Sequence, residues 1–288
     1  MQQSPTHRIA VPSTDMTKLL WGLAAVAFAY LGVCAVMFAM QRDFIYRPDP
    51  ALPDSVAMAR VGFDQVRLDL PGGALPALFF APPQGRGRPL TVLVFHGNAI
   101  AAHRVAAKFQ PLRAEGWGVA LLEYPGYGGM PGTPEEQEIY RWARLAAVEV
   151  AQRSGGLGNV VLWGESLGAG VATTLASEQA FAGVILEAPF TSVVDLARQR
   201  FPWLPVNALV LDRYDNLERI GQLKAPLLLL HGARDGVVPV EHGRRLLAAA
   251  PPAKRGVFYP AAGHNDLPSH GAMDEALVFL REIQTTFR

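Results

Sequence analysis

From Thr91 onward the chain alternates short, wholly apolar runs with longer stretches of helical period. The runs are Thr91–Phe95, Val119–Leu122, Val160–Trp163, Val184–Leu186, Leu227–Leu230 and Val257–Tyr259. A strand that is apolar at every position has both faces covered, as in a parallel sheet lying between helices. Helices are predicted near 100–114, 134–153, 167–178, 190–200, 240–249 and 272–285. Ahead of them, Asp64–Leu70 alternates polar and apolar residues, Pro71-Gly72-Gly73 reads as a turn, and Leu75–Phe80 reads as the second arm of a hairpin. Pro82-Pro83 and Gly85-Arg86-Gly87 mark the next loop. The expected fold is α/β: a mostly parallel eight-stranded sheet, doubly wound with helices, with an antiparallel start.

The amino-terminal part has a different pattern. Residues 1–18 are polar and proline-containing and read as disordered, whereas residues 19–40 carry no charge for 22 positions. At 1.5 Å per residue such a helix is about 33 Å long, enough for a hydrocarbon core of about 30 Å, so 19–40 is expected to cross a membrane. A cleaved signal peptide would have a shorter apolar region. A lipidation site at Leu31-Gly32-Val33-Cys34 would need a small residue where Val33 stands. Arg8 and Lys18 before the span, against Arg42 and Arg47 after it, lean toward a cytoplasmic amino terminus and a non-cytoplasmic main domain. Residues 41–63, with Pro48, Pro50 and Pro53, read as a juxtamembrane linker, and 64–288 as one domain. At roughly 3.3–3.6 Å per residue the linker would reach at most about 75–80 Å.

Composition narrows the function. Half of the 288 residues are apolar, ample for one large core, and the formal net charge of +1 gives no reason to expect a nucleic-acid partner. The single cysteine, Cys34, allows no disulfide framework. No His, Cys, Asp or Glu spacing resembles a metal site, and neither a G-x-G-x-x-G nor a G-x-x-x-x-G-K motif occurs, so no metal and no cofactor are expected.

The chemistry is concentrated behind the apolar runs, where the strand ends of such a sheet carry functional groups. Residues 159–172 run from an apolar strand through Gly164-Glu165-Ser166-Leu167-Gly168 into an Ala-rich helix. That order is a nucleophile elbow: a sharp strand-to-helix turn that lifts the Ser166 hydroxyl and aims the Leu167 N–H at a developing oxyanion. His96-Gly97-Asn98-Ala99 follows Thr91–Phe95, and there the Asn98 N–H is a candidate second oxyanion donor, while His96 reads as a structural histidine. Asp235 lies on the turn after Leu227–Leu230 and can orient an imidazole; Asp195, within a predicted helix, is the weaker rival. His264, on a Gly-containing loop after Val257–Tyr259, can serve as general base, whereas His242 and His270 read as solvated. The order Ser166, Asp235, His264 is the one this elbow architecture requires.

The segments FHGNA (95–99), EYPGYGGMPGTPEE (123–136), GESLGAGVA (164–172), LEAPFTSVVDLA (186–197), RYDNLERI (213–220), HGARDGVVP (231–239) and GHND (263–266) together resemble the membrane-anchored α/β-hydrolase-domain proteins. The resemblance covers about residues 42–285. That group includes lysophospholipid lipases, acyl-protein thioesterases and bacterial members. It implies the α/β-hydrolase fold, with Ser166 as nucleophile, His264 as base, Asp235 as acid and an oxyanion hole at Asn98 and Leu167. One departure is Gly129, where the family more often has serine.

The segment from about 190 to 223 is the expected cap, short enough to leave the site open. Phe201, Trp203, Leu204, Val206, Leu209, Val210 and Leu211 there would offer an apolar surface to an acyl chain, or pack into the core. The expected activity is hydrolysis of acyl esters or thioesters, with a small-molecule or lipid substrate and the membrane as partner through residues 19–40. Amide or peptide cleavage is the alternative within enzymes, and a non-catalytic membrane-tethered binding protein is the alternative outside them.

Overall fold

The computed structural model describes residues 13–70, 73–85 and 89–286. Residues 1–12 of the segment 1–18 read as disordered, and parts of the expected turn at 71–73 and loop at 85–87, lie outside the described residues, whereas residues 13–18 are helical. The chain forms two compact units that divide between Gln41 and Arg42.

The first helix, α1 (Ser13–Ile45), extends further at both ends than the 19–40 span read from the charge-free run. No proline interrupts it. Pro48 ends it, because proline lacks an N–H and disfavours helical geometry at the residue before it. Met16–Ile45 is long and apolar enough to cross a membrane, with a mean hydropathy of 2.3 in its most apolar window. Its large apolar side chains, among them Trp21, Phe28 and Leu31, are exposed.

The second unit contains the sheet. Of residues 41–63, expected to be a linker, 42–63 belong to this unit and are held against it. Tyr46 is buried with its Oη 3.1 Å from that of Tyr214, and Arg42 bonds Asp212 and Glu135 at 3.1 and 2.5 Å. A short helix, α2 (Ser55–Arg60), starts where Asp54 accepts from the N–H groups of Val56 and Ala57. Prolines at 48, 50 and 53 gave the segment a linker's composition, but the buried Tyr46 and Met58 anchor it.

Strands β1 (Asp64–Leu70), β2 (Gly73–Ala81), β3 (Thr91–Phe95), β4 (Gly118–Leu122), β5 (Val160–Glu165), β6 (Gly183–Glu187), β7 (Leu227–Gly232) and β8 (Lys254–Tyr259) form one sheet. Their order is β1-β2-β4-β3-β5-β6-β7-β8. The pairs β1–β2 and β2–β4 are antiparallel, and every later pair is parallel. The hairpin alternates exposed and buried positions along β1, whereas β3, β4 and β6 are buried throughout, as their composition predicted.

Helices α3 (Gln110–Ala114), α4 (Glu136–Ser154), α5 (Leu167–Glu178), α6 (Val193–Arg200), α7 (Val206–Leu209), α8 (Asn216–Arg219), α9 (Val240–Ala249) and α10 (Ala272–Thr286) complete the order, with a 3₁₀ stretch at Ala102–Phe109. Two apolar layers result. Leu93 and Phe95 of β3 join Leu162 and the helices α4 and α5 on one face. Val92 and Val94 join Trp163, Ile185 and Phe279 of α10 on the other. Successive strand residues point to opposite faces, so one apolar run supplies both layers. Truncating any one of these side chains to alanine costs on the order of 2–5 kcal/mol. The two layers leave the carboxyl ends of β3, β5, β7 and β8 as a rigid platform.

Candidate active site

Ser166 is the single residue between β5 and α5, with φ 48° and ψ −109°. A non-glycine residue held there costs on the order of 1–3 kcal/mol, which the surroundings must over-determine. Glycines make the turn possible. A Cβ at Gly164 would run into the backbone of Gly168 and Ala169, and one at Gly168 into the carbonyls of Phe95 and His96. The turn is then tied on both sides: the Ser166 N–H donates to the Glu187 carbonyl and the Ala169 N–H to the Ser166 carbonyl, each at 2.9 Å.

Three strand ends meet at this turn. His264 Nε2 lies 3.1 Å from Ser166 Oγ, and His264 Nδ1 lies 2.6 Å from Asp235 Oδ2. The His264 loop is set by Asp266, whose Oδ1 accepts from the Gly263 N–H at 2.7 Å. Asp235 is buried, and its Oδ1 accepts from the N–H groups of Val237 and Val238, both at 2.8 Å. His231 Nε2 stands 3.4 Å from Asp235 Oδ2. Burial alone would raise the Asp235 pKa, but hydrogen bonds from His231, His264 and the Val238 N–H outweigh it and hold the carboxyl well below the usual carboxylate range. A hydroxyl within reach of an imidazole that an ionised carboxylate holds from the other side can surrender its proton as it attacks a carbonyl.

The loop after β3 faces the same hydroxyl: a Cβ built on Gly97 would come 3.8 Å from Ser166 Cβ. Among the described residues, the N–H groups of Asn98 and Leu167 meet no protein acceptor. Leu167 directly follows Ser166, and Asn98 directly follows Gly97.

The other candidates lie elsewhere. Asp195 bonds Thr191 Oγ1 at 2.6 Å and Arg198 at 3.1 Å, and makes no contact with His264. His96 is buried against the Tyr124 ring, centroids 4.0 Å apart, with Nε2 3.3 Å from Glu123 Oε1. His242 is not solvated as its sequence position implied. It is buried on α9, with Nδ1 2.7 Å from Thr191 Oγ1 and Nε2 3.0 Å from Gln199 Nε2, and burial lowers its pKa. His270 is partly exposed, 3.5 Å from Asp266. The cap is less apolar than expected: Leu204 and Val206 pack inward, and a cavity of about 240 Å³ there is lined by Asp195, Arg198, Arg213, Asp215, Glu218 and Arg245 among others. Trp203 and Leu211 remain at the surface. No group of three or more potential metal-ligating side chains occurs among the described residues.

Residues 92–223 match the model of the alpha/beta hydrolase family. The chain is 37% identical over 246 residues to the uncharacterized protein Rv2307c of Mycobacterium tuberculosis, covering 85% of this chain and 87% of that one. The chain belongs to the α/β-hydrolase family. The human alpha/beta hydrolase domain-containing protein 17B is 29% identical over 189 residues, 65% of this chain and 64% of its own. Solved structures share the fold: a Pyrococcus furiosus esterase at 17% identity and TM-score 0.63, over 83% of this chain and 98% of that one, and a Paleococcus ferrophilus monoacylglycerol lipase at 22% and 0.54, over 72% and 98%.

Within this α/β hydrolase, Gly129 has a local cause. Its φ is +76°, and a Cβ would meet Leu52 Cδ2, so a serine there would require both strain and a shift of Leu52. Two features escaped the sequence. One is His231, an apparent strand residue whose position four before Asp235 was the available signal. The other is Lys108, whose Nζ bonds Glu165 Oε1 at 2.8 Å and Glu187 Oε2 at 2.6 Å under the elbow. Burial would lower the Lys108 pKa, but the two carboxylates outweigh it and raise it. For Glu165, burial wins and raises the pKa.

Proposed function

We propose that this hydrolase cleaves acyl esters or thioesters through an acyl-enzyme intermediate on Ser166. The observation that carries the reading is the chain of contacts from Ser166 Oγ through His264 to Asp235, 3.1 Å and 2.6 Å long. In the forward step Ser166 Oγ attacks the acyl carbon while His264 Nε2 takes its proton. The Asp235 carboxylate fixes the tautomer with Nδ1 protonated and stabilises the imidazolium. The N–H groups of Asn98 and Leu167 receive the oxyanion. His264 then returns the proton to the departing alcohol or thiol. A water molecule, deprotonated by His264, attacks the acyl-enzyme and releases the acid.

We place the enzyme at a membrane through residues 19–40, with lipid or lipidated acyl groups as substrates and the catalytic unit on the non-cytoplasmic side. The length and hydropathy of α1 support the anchor, and the charges flanking it support the orientation. Exposed Trp203, Leu211 and Val237 give the catalytic unit apolar surface for an acyl chain. The test is a substrate panel on the purified full-length protein: p-nitrophenyl esters of increasing chain length, acyl thioesters and aminoacyl anilides. Ester or thioester turnover that Ser166→Ala abolishes supports the reading. Preferential turnover of the anilides replaces it with an amidase, and no Ser166-dependent turnover in any class replaces it with a binding protein.

A further inference from the structure

Asn98 follows Gly97, where a Cβ would lie 3.8 Å from Ser166 Cβ, and its side chain is bonded to residues about fifty positions earlier. Its Nδ2 donates to the Ile45 carbonyl at 2.7 Å, and its Oδ1 accepts from the Arg47 N–H at 2.9 Å. Ile45 is the last residue of α1, where a carbonyl has no N–H four residues ahead within the helix to satisfy it. The Asn98 carboxamide supplies that donor and takes the next free N–H. It is therefore a two-pronged splint on the chain as it leaves the apolar helix.

Further contacts fix both partners. Asn98 Oδ1 also accepts from Tyr127 Oη at 2.7 Å and from the Ala99 N–H at 2.9 Å. Ala99 has φ +60°, a left-handed conformation that a residue with a Cβ keeps only when its surroundings enforce it. Tyr46 is locked against Tyr214, Arg42 against Asp212 and Glu135, and the Asp49 carbonyl accepts from the Gly128 N–H at 2.8 Å. The Asn98 Cα, which joins the Asn98 N–H on one side to the Ala99 peptide on the other, is thus fixed by the carboxamide, and the carboxamide is held by residues 45–47 and by Tyr127.

We propose that residues 42–47 are a positioning strap that holds the Asn98 carboxamide, and through it the Asn98 N–H, at the oxyanion position. The end of the membrane-crossing-length helix is then part of what builds the site, as well as a tether. This rests on the assignment of Ser166 and Asn98 above. The carboxamide and residues 45–47 position; the Asn98 N–H is the group that meets substrate. Losing an oxyanion donor costs about 10²–10³ in kcat, so a donor left in place but loosely held is expected to cost about 10–100-fold.

The experiment uses full-length protein in detergent, measuring kcat and KM on a short p-nitrophenyl ester. It adds the Ki of a trifluoromethyl ketone, whose hemiketal oxyanion needs the same donors. Arg47→Pro deletes the N–H that reaches Asn98 Oδ1, and Arg47→Ala, which keeps that N–H, sets the background. Asn98→Ala deletes the splint. Both Arg47→Pro and Asn98→Ala are expected to lower kcat about 10–100-fold with KM within about twofold, and to raise the ketone Ki by a similar factor. The double variant is expected to be no worse than Asn98→Ala, because both changes act through one carboxamide. Should Arg47→Pro fail to fold, Asn98→Asp, which replaces the donor to Ile45 by an acceptor, is expected to show the same loss. A kcat for Arg47→Pro equal to that of Arg47→Ala (or, in its place, for Asn98→Asp equal to wild type), or losses that multiply in the double variant, overturns the strap. Activity surviving in Ser166→Ala instead overturns the assignment beneath it.

Discussion

Two loops flank the Ser166 hydroxyl, and they are stabilised in opposite ways. The elbow's defining residues are local: its strained residue and its two glycines lie within five positions, and the backbone of Gly168 and Ala169 forbids a side chain at Gly164, although Gly168 is closed by the carbonyls of Phe95 and His96 and the Ser166 N–H is tied to the Glu187 carbonyl. The loop carrying Asn98 is equally strained, at Ala99, but its supports come from residues 45–47 and from Tyr127. A locally determined turn is readable as a short motif. A turn whose conformation is set by distant chain becomes visible only once the fold has brought that chain to it.

The largest effect is expected from removing the carboxylate that holds His264. Asp235→Asn is expected to lower kcat on the order of 10⁴-fold by favouring the wrong tautomer of His264. Asp195→Asn, which disturbs only the cap pairs with Thr191, Arg198 and Arg245, is expected to change kcat less than about threefold. Steady-state kinetics on one ester decides between them, and a reversed order would move the orienting acid to the cap.

Glycine substitutions test how tightly the elbow is packed. Gly168→Ala drives a Cβ into two backbone carbonyls that have nowhere to move, and is expected to cost about 3 kcal/mol or more in urea unfolding. Gly129→Ser meets mainly a Leu52 side chain that can swing away, so about 1–2 kcal/mol is expected there from the positive φ and the displaced contact. Equal costs at the two positions would show that the elbow is no more tightly specified than an ordinary turn.

Acid titration examines Asp235 without chemistry. Its folded pKa lies below its unfolded value, so its contribution to stability is complete above the ordinary carboxylate range and is lost as pH falls through the folded value. The melting temperature of the wild type is therefore expected to converge on that of Asp235→Asn as pH drops below about 4. A difference that stays constant from pH 7 to 2 would mean that the carboxylate gains nothing from His231 and His264. A smaller effect is expected from backbone strain: Ser166→Gly should be more stable than Ser166→Ala by about 1 kcal/mol, since glycine alone adopts φ 48° freely.

The sheet was legible because wholly apolar runs such as Thr91–Phe95 have no stable place except between two layers, and the helices 167–178 and 240–249 because small or amphipathic residues fill them without interruption. Ser166, Asp235 and His264 were legible as residue types behind strand ends, and the structure brings those three together. What escaped was non-local. Residues 41–63 have a linker's prolines, and nothing in their order shows that Tyr46 meets Tyr214, although Asp54 as the cap of a short helix was a local signal left unread. His242 has the polar neighbours of a surface histidine and is buried only because Thr191 and Gln199 are folded onto it. Lys108 belongs to a 3₁₀ stretch with alternating burial, and its two glutamates lie 57 and 79 positions away.

Ser166 is the proposed nucleophile, with His264 as its base and the N–H groups of Asn98 and Leu167 as its proposed oxyanion donors. Labelling the full-length protein with a fluorophosphonate and mapping the adduct by peptide mass spectrometry tests this assignment most directly. One adduct is expected, on Ser166, abolished in Ser166→Ala while the thermal unfolding transition is retained. Stoichiometric labelling that persists in Ser166→Ala, or an adduct at Ser192 in the cap, would contradict it.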